Sequence, residues 1–177
     1  HYHPMVVSMV DSPLPVIAAL DGAAAGIGCD FALAADLRLA SEKAFLAEIF
    51  VNISLLPDGG GTFHLPRLVG LARALEMAMT GTRVNAAQAL EWGLVNHVYP
   101  VEGFEERVQE YAAALAQKAP LSLQRSKKAM RAALCDTSLA TALQREAVMQ
   151  GELFRSDDLR EGVMAFLEKR APDFKGK

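Results

Sequence analysis

Asp58 and the turn Gly26-Ile27-Gly28 are the features of this chain whose residue types and spacing could do chemistry. Asp58 stands in Leu55-Leu56-Pro57-Asp58-Gly59-Gly60-Gly61-Thr62, where proline fixes the backbone and the glycines let it pack close to a ligand or a strand. Its carboxylate has two readings. Asp is a preferred helix N-cap and Asp-Gly a common turn, so it could simply open the helix that follows. Alternatively it is presented at the edge of an apolar pocket as an acid/base. A helix N-terminus lowers an acid's pKa and an apolar wall raises it, and only the second trend suits proton transfer.

The segment Gly22 to Ala34 joins an apolar run, Pro15 to Leu20, to a second apolar run ending at Asp36. Ala25, Gly26 and Gly28 let the backbone turn sharply, and the first free amides of the helix then face whatever lies in front. Such a turn can receive a phosphate or an oxyanion, or it can be a tight turn and nothing more. A dinucleotide loop needs a third glycine, but Cys29-Asp30-Phe31 follows Gly28, so that pattern is incomplete. Near the C-terminus, Phe166 and Lys169 lie three apart in Gly162 to Arg170. They would share a helix face and offer a ring and a cation to a phosphorylated aromatic ligand, or else belong to an amphipathic helix with a basic end. His1, His3, His64 and His97 form no i, i+4 pair, and Cys29 and Cys135 match no metal spacing, so no metal site is expected.

The elements that must hold these residues follow from periodicity. Residues 5–10 read as the end of an element broken by Asp11-Ser12-Pro13. Val16 to Leu20 reads as a buried strand, Ile27 to Ala35 as a buried helix, and Leu37 to Ala40 and Ala44 to Ala47 as short strands. An apolar stretch, Val51 to Leu56, leads into the Asp58 turn. Helices are expected over Thr62 to Val69, Leu71 to Met79 and Asn85 to Trp92, with Asn85 as an N-cap, and a last strand over Leu94 to Tyr99. Beyond Pro100 four helical segments follow, Phe104 to Lys118, Leu121 to Leu134, Ser138 to Phe154 and Leu159 to Lys169. The chain therefore divides into an α/β front, residues 1–100, and a helical rear, residues 101–177. Such a rear could close its own core or pack on a partner subunit.

Bulk composition narrows the function class. With 51% hydrophobic and 22% charged residues over 177 positions, the chain suits a folded domain with a sizeable core. A net charge of −3 without a basic stripe argues against nucleic acid. Apolar runs stop well short of the ~20 residues of a membrane span, and widely separated cysteines suit a reduced, cytoplasmic protein.

Several segments together resemble the enoyl-CoA hydratase/isomerase (crotonase) superfamily. They are Pro15 to Gly22, Ala25-Gly26-Ile27-Gly28-Cys29-Asp30, Ala34-Ala35-Asp36-Leu37-Arg38, Leu56 to Thr62 and Leu65-Pro66-Arg67-Leu68-Val69-Gly70, then Thr80-Gly81-Thr82-Arg83, Ala89 to Val95 and Arg160 to Arg170. They keep family order along essentially the whole chain. The resemblance implies a crotonase-like spiral of β-β-α turns, incomplete at its N-terminus, and a helical region that builds homotrimers, often paired into hexamers. It implies an acyl-CoA thioester as substrate, with coenzyme A belonging to that substrate and no separate cofactor. The thioester carbonyl would lie between two backbone amides. Ile27 N–H would be the second, and the first would belong to a segment preceding His1. Losing one such donor costs ~3 kcal/mol, so the chain by itself is expected to be feeble.

Departures from the family pattern sharpen the chemistry. Two-acid hydratases place one glutamate where Asp30 stands and another where Phe50 stands, and phenylalanine cannot move a proton. Isomerase-like members place a single acid where Asp58 stands, and Leu56 to Thr62 with Leu65-Pro66-Arg67 looks most like the epoxyphenylacetyl-CoA and Δ3,Δ2-enoyl-CoA isomerases. Asp58 is thus the expected acid/base, with Asp30 the alternative in a hydratase. A non-catalytic acyl-CoA-binding or assembly protein is a third reading. The resemblance also carries Phe166 and Lys169 to positions reaching the adenine and phosphate end of coenzyme A from a neighbouring subunit. Leu46, Phe50, Val51 and Phe63 suggest a lipophilic pocket for the acyl group, although helical and strand cores use the same residue types.

Overall fold

The computed structural model describes residues 2–177. His1, half of a terminal histidine pair with His3 in the sequence, lies outside them. The described chain falls into two compact units. Residues 16–110 with the segment before Pro13 make the first, and residues 111–177 with Pro13 to Pro15 the second.

The first unit opens with α1, His3–Asp11, the element whose end the apolar residues 5–10 betrayed. β1 (Ile17–Leu20), β2 (Ala23–Ala25) and α2 (Ile27–Ala34) follow, then β3 (Leu37–Ser41) and β4 (Phe45–Ala47). A 3₁₀ turn over Ile49–Ile53 leads to α3 (Gly61–Val69) and α4 (Leu71–Thr80). β5 (Val84–Asn85), α5 (Ala86–Glu91) and β6 (His97–Tyr99) complete the sheets. One sheet has the order β1-β3-β6, all parallel, and the other β2-β4-β5, with β2 parallel and β5 antiparallel to β4. From β1 to β4 consecutive strands therefore alternate between the sheets, two before each helical segment, which is the β-β-α spiral. β2 is an alanine run with no strand signature, and β5 has only two residues. Backbone pairing makes them strands, and periodicity could not reveal them. β1 is only half-buried instead of sealed on both faces.

The core of this unit gathers Cys29 and Leu33 of α2, Leu46 of β4, Leu65 of α3, Met77 of α4, Val84 and Leu94. Leu46, read from the sequence as pocket lining, is thus a core residue. Two polar residues of the motif Ala34 to Arg38 tie the frame together. Asp36 accepts the Val16 N–H at 2.8 Å, and the Arg38 guanidinium donates to the carbonyls of Leu94 at 2.6 Å and Ala35 at 2.7 Å. Asn85 caps α5 as expected, its side chain accepting the Gln88 N–H at 2.9 Å.

The second unit is helical, with α6 (Phe104–Ala116) leading into it and α7 (Pro120–Ala133), α8 (Leu139–Leu153) and α9 (Asp157–Glu168) following. Neither α7 nor α8 has a fully buried residue, while Met130, Leu139, Val148 and Phe154 stand open to solvent. Among the described residues no helix is long and apolar enough to cross a membrane.

Candidate active site

The Gly26-Ile27-Gly28 turn is the junction of β2 and α2. Gly26 caps the helix with φ +55° and ψ −126°, a conformation that glycine reaches without a Cβ penalty. Its N–H donates to Ala47 O at 2.9 Å, and its carbonyl accepts the Cys29 and Asp30 amides at 2.8 and 3.1 Å. Ile27, the first residue of α2, has no intrahelical acceptor for its N–H, as expected of a donor for an oxyanion. Gly28 follows inside the same turn and Ala25 ends the strand before it. Phe50 is nearly buried, and a Cβ on Gly26 would sit 3.9 Å from its ring and 3.5 Å from Ile49. Phe50 therefore packs beneath the turn.

Asp58 is exposed, between the buried Pro57 and Gly59. It does not cap a helix. α3 starts at Gly61 with Gly60 as its cap, at φ +103°, and no side chain fills the capping role. The carboxylate is free of that duty, and the N-terminal element takes hold of it instead. The Tyr2 phenol faces the Asp58 carboxylate, whose accepting oxygens push it up to about 12, so it stays protonated. His3 Nε2 lies 2.9 Å from the Asp58 carbonyl, which only an N–H can satisfy. The Tyr2 ring is set edge-on against His3 and Phe31, centroids 5.3 and 6.0 Å away. An apolar cleft of about 140 Å³ lies at the base of the turn, lined by Pro57, Gly61, Leu65, Pro66 and Leu71. Of the pocket residues expected from sequence none lines it, and Val51 and Phe63 are exposed.

Asp30 is placed differently. It is 0% exposed, and its Oδ2 accepts the Gly59 N–H at 2.6 Å. A Cβ on Gly61 would collide with Oδ1, and one on Gly59 would stand 2.8 Å from the Asp30 Cβ. Gly59 and Gly61 are therefore required because their backbone lies directly on Asp30, and in the case of Gly59 on Ile27 as well. Beside it is a residue that the sequence reading missed. Glu48, also 0% exposed, follows β4, and both of its carboxyl oxygens are buried without a hydrogen-bond partner, as is Asp30 Oδ1. Its only sequence signal is a lone charge in the apolar run Ala47-Glu48-Ile49-Phe50. Burial and then the charge of Asp30 push the Glu48 carboxyl up to about 7. Asp30 is also raised, by burial first, against the pull of the Gly59 amide. Burial and the neighbouring Glu48 push the Cys29 thiol well above its usual range.

In the second unit, Phe166 is 83% exposed on α9 and Lys169 is exposed too. The helix ends at Glu168, and Lys169 caps it at φ +54°. The three-residue spacing that would align the two side chains on one helical face thus stops one residue short. Among the described residues no cluster of His, Cys, Asp and Glu could hold a metal ion.

Comparison with known proteins agrees with this architecture. The family model described as Enoyl-CoA hydratase/isomerase matches residues 2–177. A Rhodobacter capsulatus protein named "Probable enoyl-CoA hydratase" is 44% identical over 176 residues, 99% of this chain and 68% of its own length. The 1,2-epoxyphenylacetyl-CoA isomerase of Escherichia coli is 41% identical over 99% of this chain and 67% of its own length. The crystal structure of an enoyl-CoA hydratase from Bacillus anthracis superposes with a TM-score of 0.95 at 38% identity, covering 99% of this chain and 67% of that one. The chain thus spans about two thirds of the length of these relatives.

Proposed function

This chain belongs to the enoyl-CoA hydratase/isomerase family, and we propose that it isomerises an acyl-CoA thioester, shifting a double bond or a ring, with Asp58 as its single acid/base. The observation that carries this reading is the contrast in access. Asp58 is exposed on a turn clamped from both sides, whereas Asp30 is sealed and Phe50 occupies the place of a second acid. One base suffices for isomerisation. Asp58 removes a proton α or γ to the thioester carbonyl, and the electron pair moves to the carbonyl oxygen. The Ile27 N–H stabilises the resulting enolate, and the proton returns at another carbon, leaving Asp58 ionised for the next turnover. Tyr2 aims the carboxylate without competing for the proton, because its phenol stays protonated across the working pH range.

A hydratase would need a second carboxyl group at the substrate, and the partner that Asp30 has, Glu48, is sealed with it. The exposed apolar residues on α7, α8 and α9 support a homo-oligomer, trimer or hexamer, in which Phe166 and Lys169 serve the coenzyme A of a neighbouring site. The decisive experiment incubates the protein with a panel of acyl-CoA thioesters in deuterated water and follows label at the carbons beside the carbonyl. Asp58→Asn should lower uptake by about 10²–10⁴-fold while thioester binding persists. Unchanged uptake rules Asp58 out. Uptake lost in Asp30→Ala, with water added to a 2-enoyl-CoA by the wild type, favours the hydratase. Thermal protection by acyl-CoA without any exchange marks a binding protein instead.

A further inference from the structure

Asp30 Oδ1 and both oxygens of Glu48 are acceptors buried without a donor. Two ionised carboxylates in that position would repel each other in a low-dielectric interior. The groups that face the pair are few. From α2 comes the Cys29 thiol, and from the glycine turn come the Gly59 and Gly61 amides and the Asp58 carboxylate, with the Tyr2 phenol behind it. His64 of α3 sits against Gly60, and His3 holds the Asp58 carbonyl. Among the described residues, none of the groups that act on either carboxyl is a cation. A single proton resolves the problem, since a protonated carboxyl gains a donor while its neighbour remains an acceptor. Oδ2 of Asp30 already receives the Gly59 N–H, a bond that favours the ionised form, so the proton belongs on Glu48.

We infer that Asp30 and Glu48 share one proton inside the first unit, and that this pair holds the Asp58 turn in position, which makes Glu48 a positioning residue for proton transfer. The backbone of Gly59 and Gly61 lies directly on Asp30, so whatever moves Asp30 moves the residue next to Asp58. The second half of the inference rests on Asp58 being the base. Loss of the shared proton turns the pair into two like charges beneath the turn. Label uptake should then fall as pH rises through about 7, the value to which Glu48 is raised.

Infrared spectroscopy of the whole protein tests the first half directly. At about pH 6, where exposed carboxyls are ionised, a protonated-carboxyl band should persist. It should fade above about pH 7 and be missing in Glu48→Gln. Absence of the band in the wild type, or its survival in Glu48→Gln, overturns the shared proton, and the wild-type spectrum decides even if the variant does not fold. The second half is read from label uptake into butanoyl-CoA in deuterated water. In Glu48→Gln the alkaline limb should disappear, and kcat should move more than KM. A limb unchanged in that variant overturns the positioning role. Uptake missing altogether in the wild type, with the band in place, breaks the Asp58 assignment and the positioning role with it, but leaves the shared proton standing.

Discussion

The partnered carboxylates of the helical unit contrast with one buried pair in the spiral unit. In the helical unit, acids are satisfied. Arg145 grips both oxygens of Asp136, and Arg170 spans Glu161 through two nitrogens while also reaching Glu168. These partners hold Asp136 below its usual range and Glu161 down to about 2. Even the buried Asp158 takes an amide on each oxygen, from Lys175 at 2.7 Å and Gly176 at 2.8 Å. In the spiral unit, Asp30 has one amide for two oxygens and Glu48 has none, and both are raised. An acid paired with a guanidinium or with enough amides is a structural tie. An acid buried and left short of donors is a proton store. The difference between this pair and the acids of the helical unit, or Asp21 beside Lys43 in its own unit, is thus one of donor supply.

Three perturbations would sharpen or break that contrast. The largest effect is expected from Gly61→Ala, whose new methyl collides with the Asp30 carboxyl and must displace it from the Gly59 amide. Such overpacking should cost about 3 kcal/mol or more, measured by urea unfolding, and a neutral result would show that the turn does not rest on Asp30. The next concerns pH. The folded chain keeps on Glu48 a proton that the unfolded chain releases near 4.5, so the stability supplied by the protonated pair falls as pH rises from there to about 7. The loss is about 3 kcal/mol, and Glu48→Gln should flatten it in a melting-temperature series. A series with the same slope in both proteins would deny the pair its proton. The smallest belongs to the helical unit and has the opposite sign. Glu161 is lowered, so its contribution is present above about 4.5 and lost as pH falls through about 2. Glu161→Gln should leave the melting point near neutrality almost unmoved, because this ion pair is solvent-screened, and should soften only the acid limb. A large loss at neutral pH would make the pair far more important than its exposure allows.

Much of the site could be read along the chain because its pieces are local. Gly26-Ile27-Gly28 announces a sharp strand-to-helix turn through the absence of side chains, and Pro57-Asp58-Gly59 announces a second one. The helices α2, α4 and the four beyond Pro100 carry their own periodicity, and Asn85 carries its own cap. What failed were inferences needing a spatial neighbour. Of the two readings that Asp58 allowed, the cap falls away, because α3 opens on Gly60. Leu46 could line a pocket or a core, and β4 turns it into the core. Glu48 looked like nothing in particular.

The order of residues alone therefore determined the two turns and the longer helices, since backbone freedom and apolar period are properties of short stretches, while the β-β-α spiral came only with the resemblance to the family. Only tertiary structure decided what each acid does. Asp30 and Glu48 are 18 positions apart and come together because β2 and β4 pair in parallel, Ala25 against Ala47, which sets the start of α2 beside the end of β4. A carboxyl's proton affinity depends on the donors and charges that surround it in space, and folding supplies those from other parts of the chain.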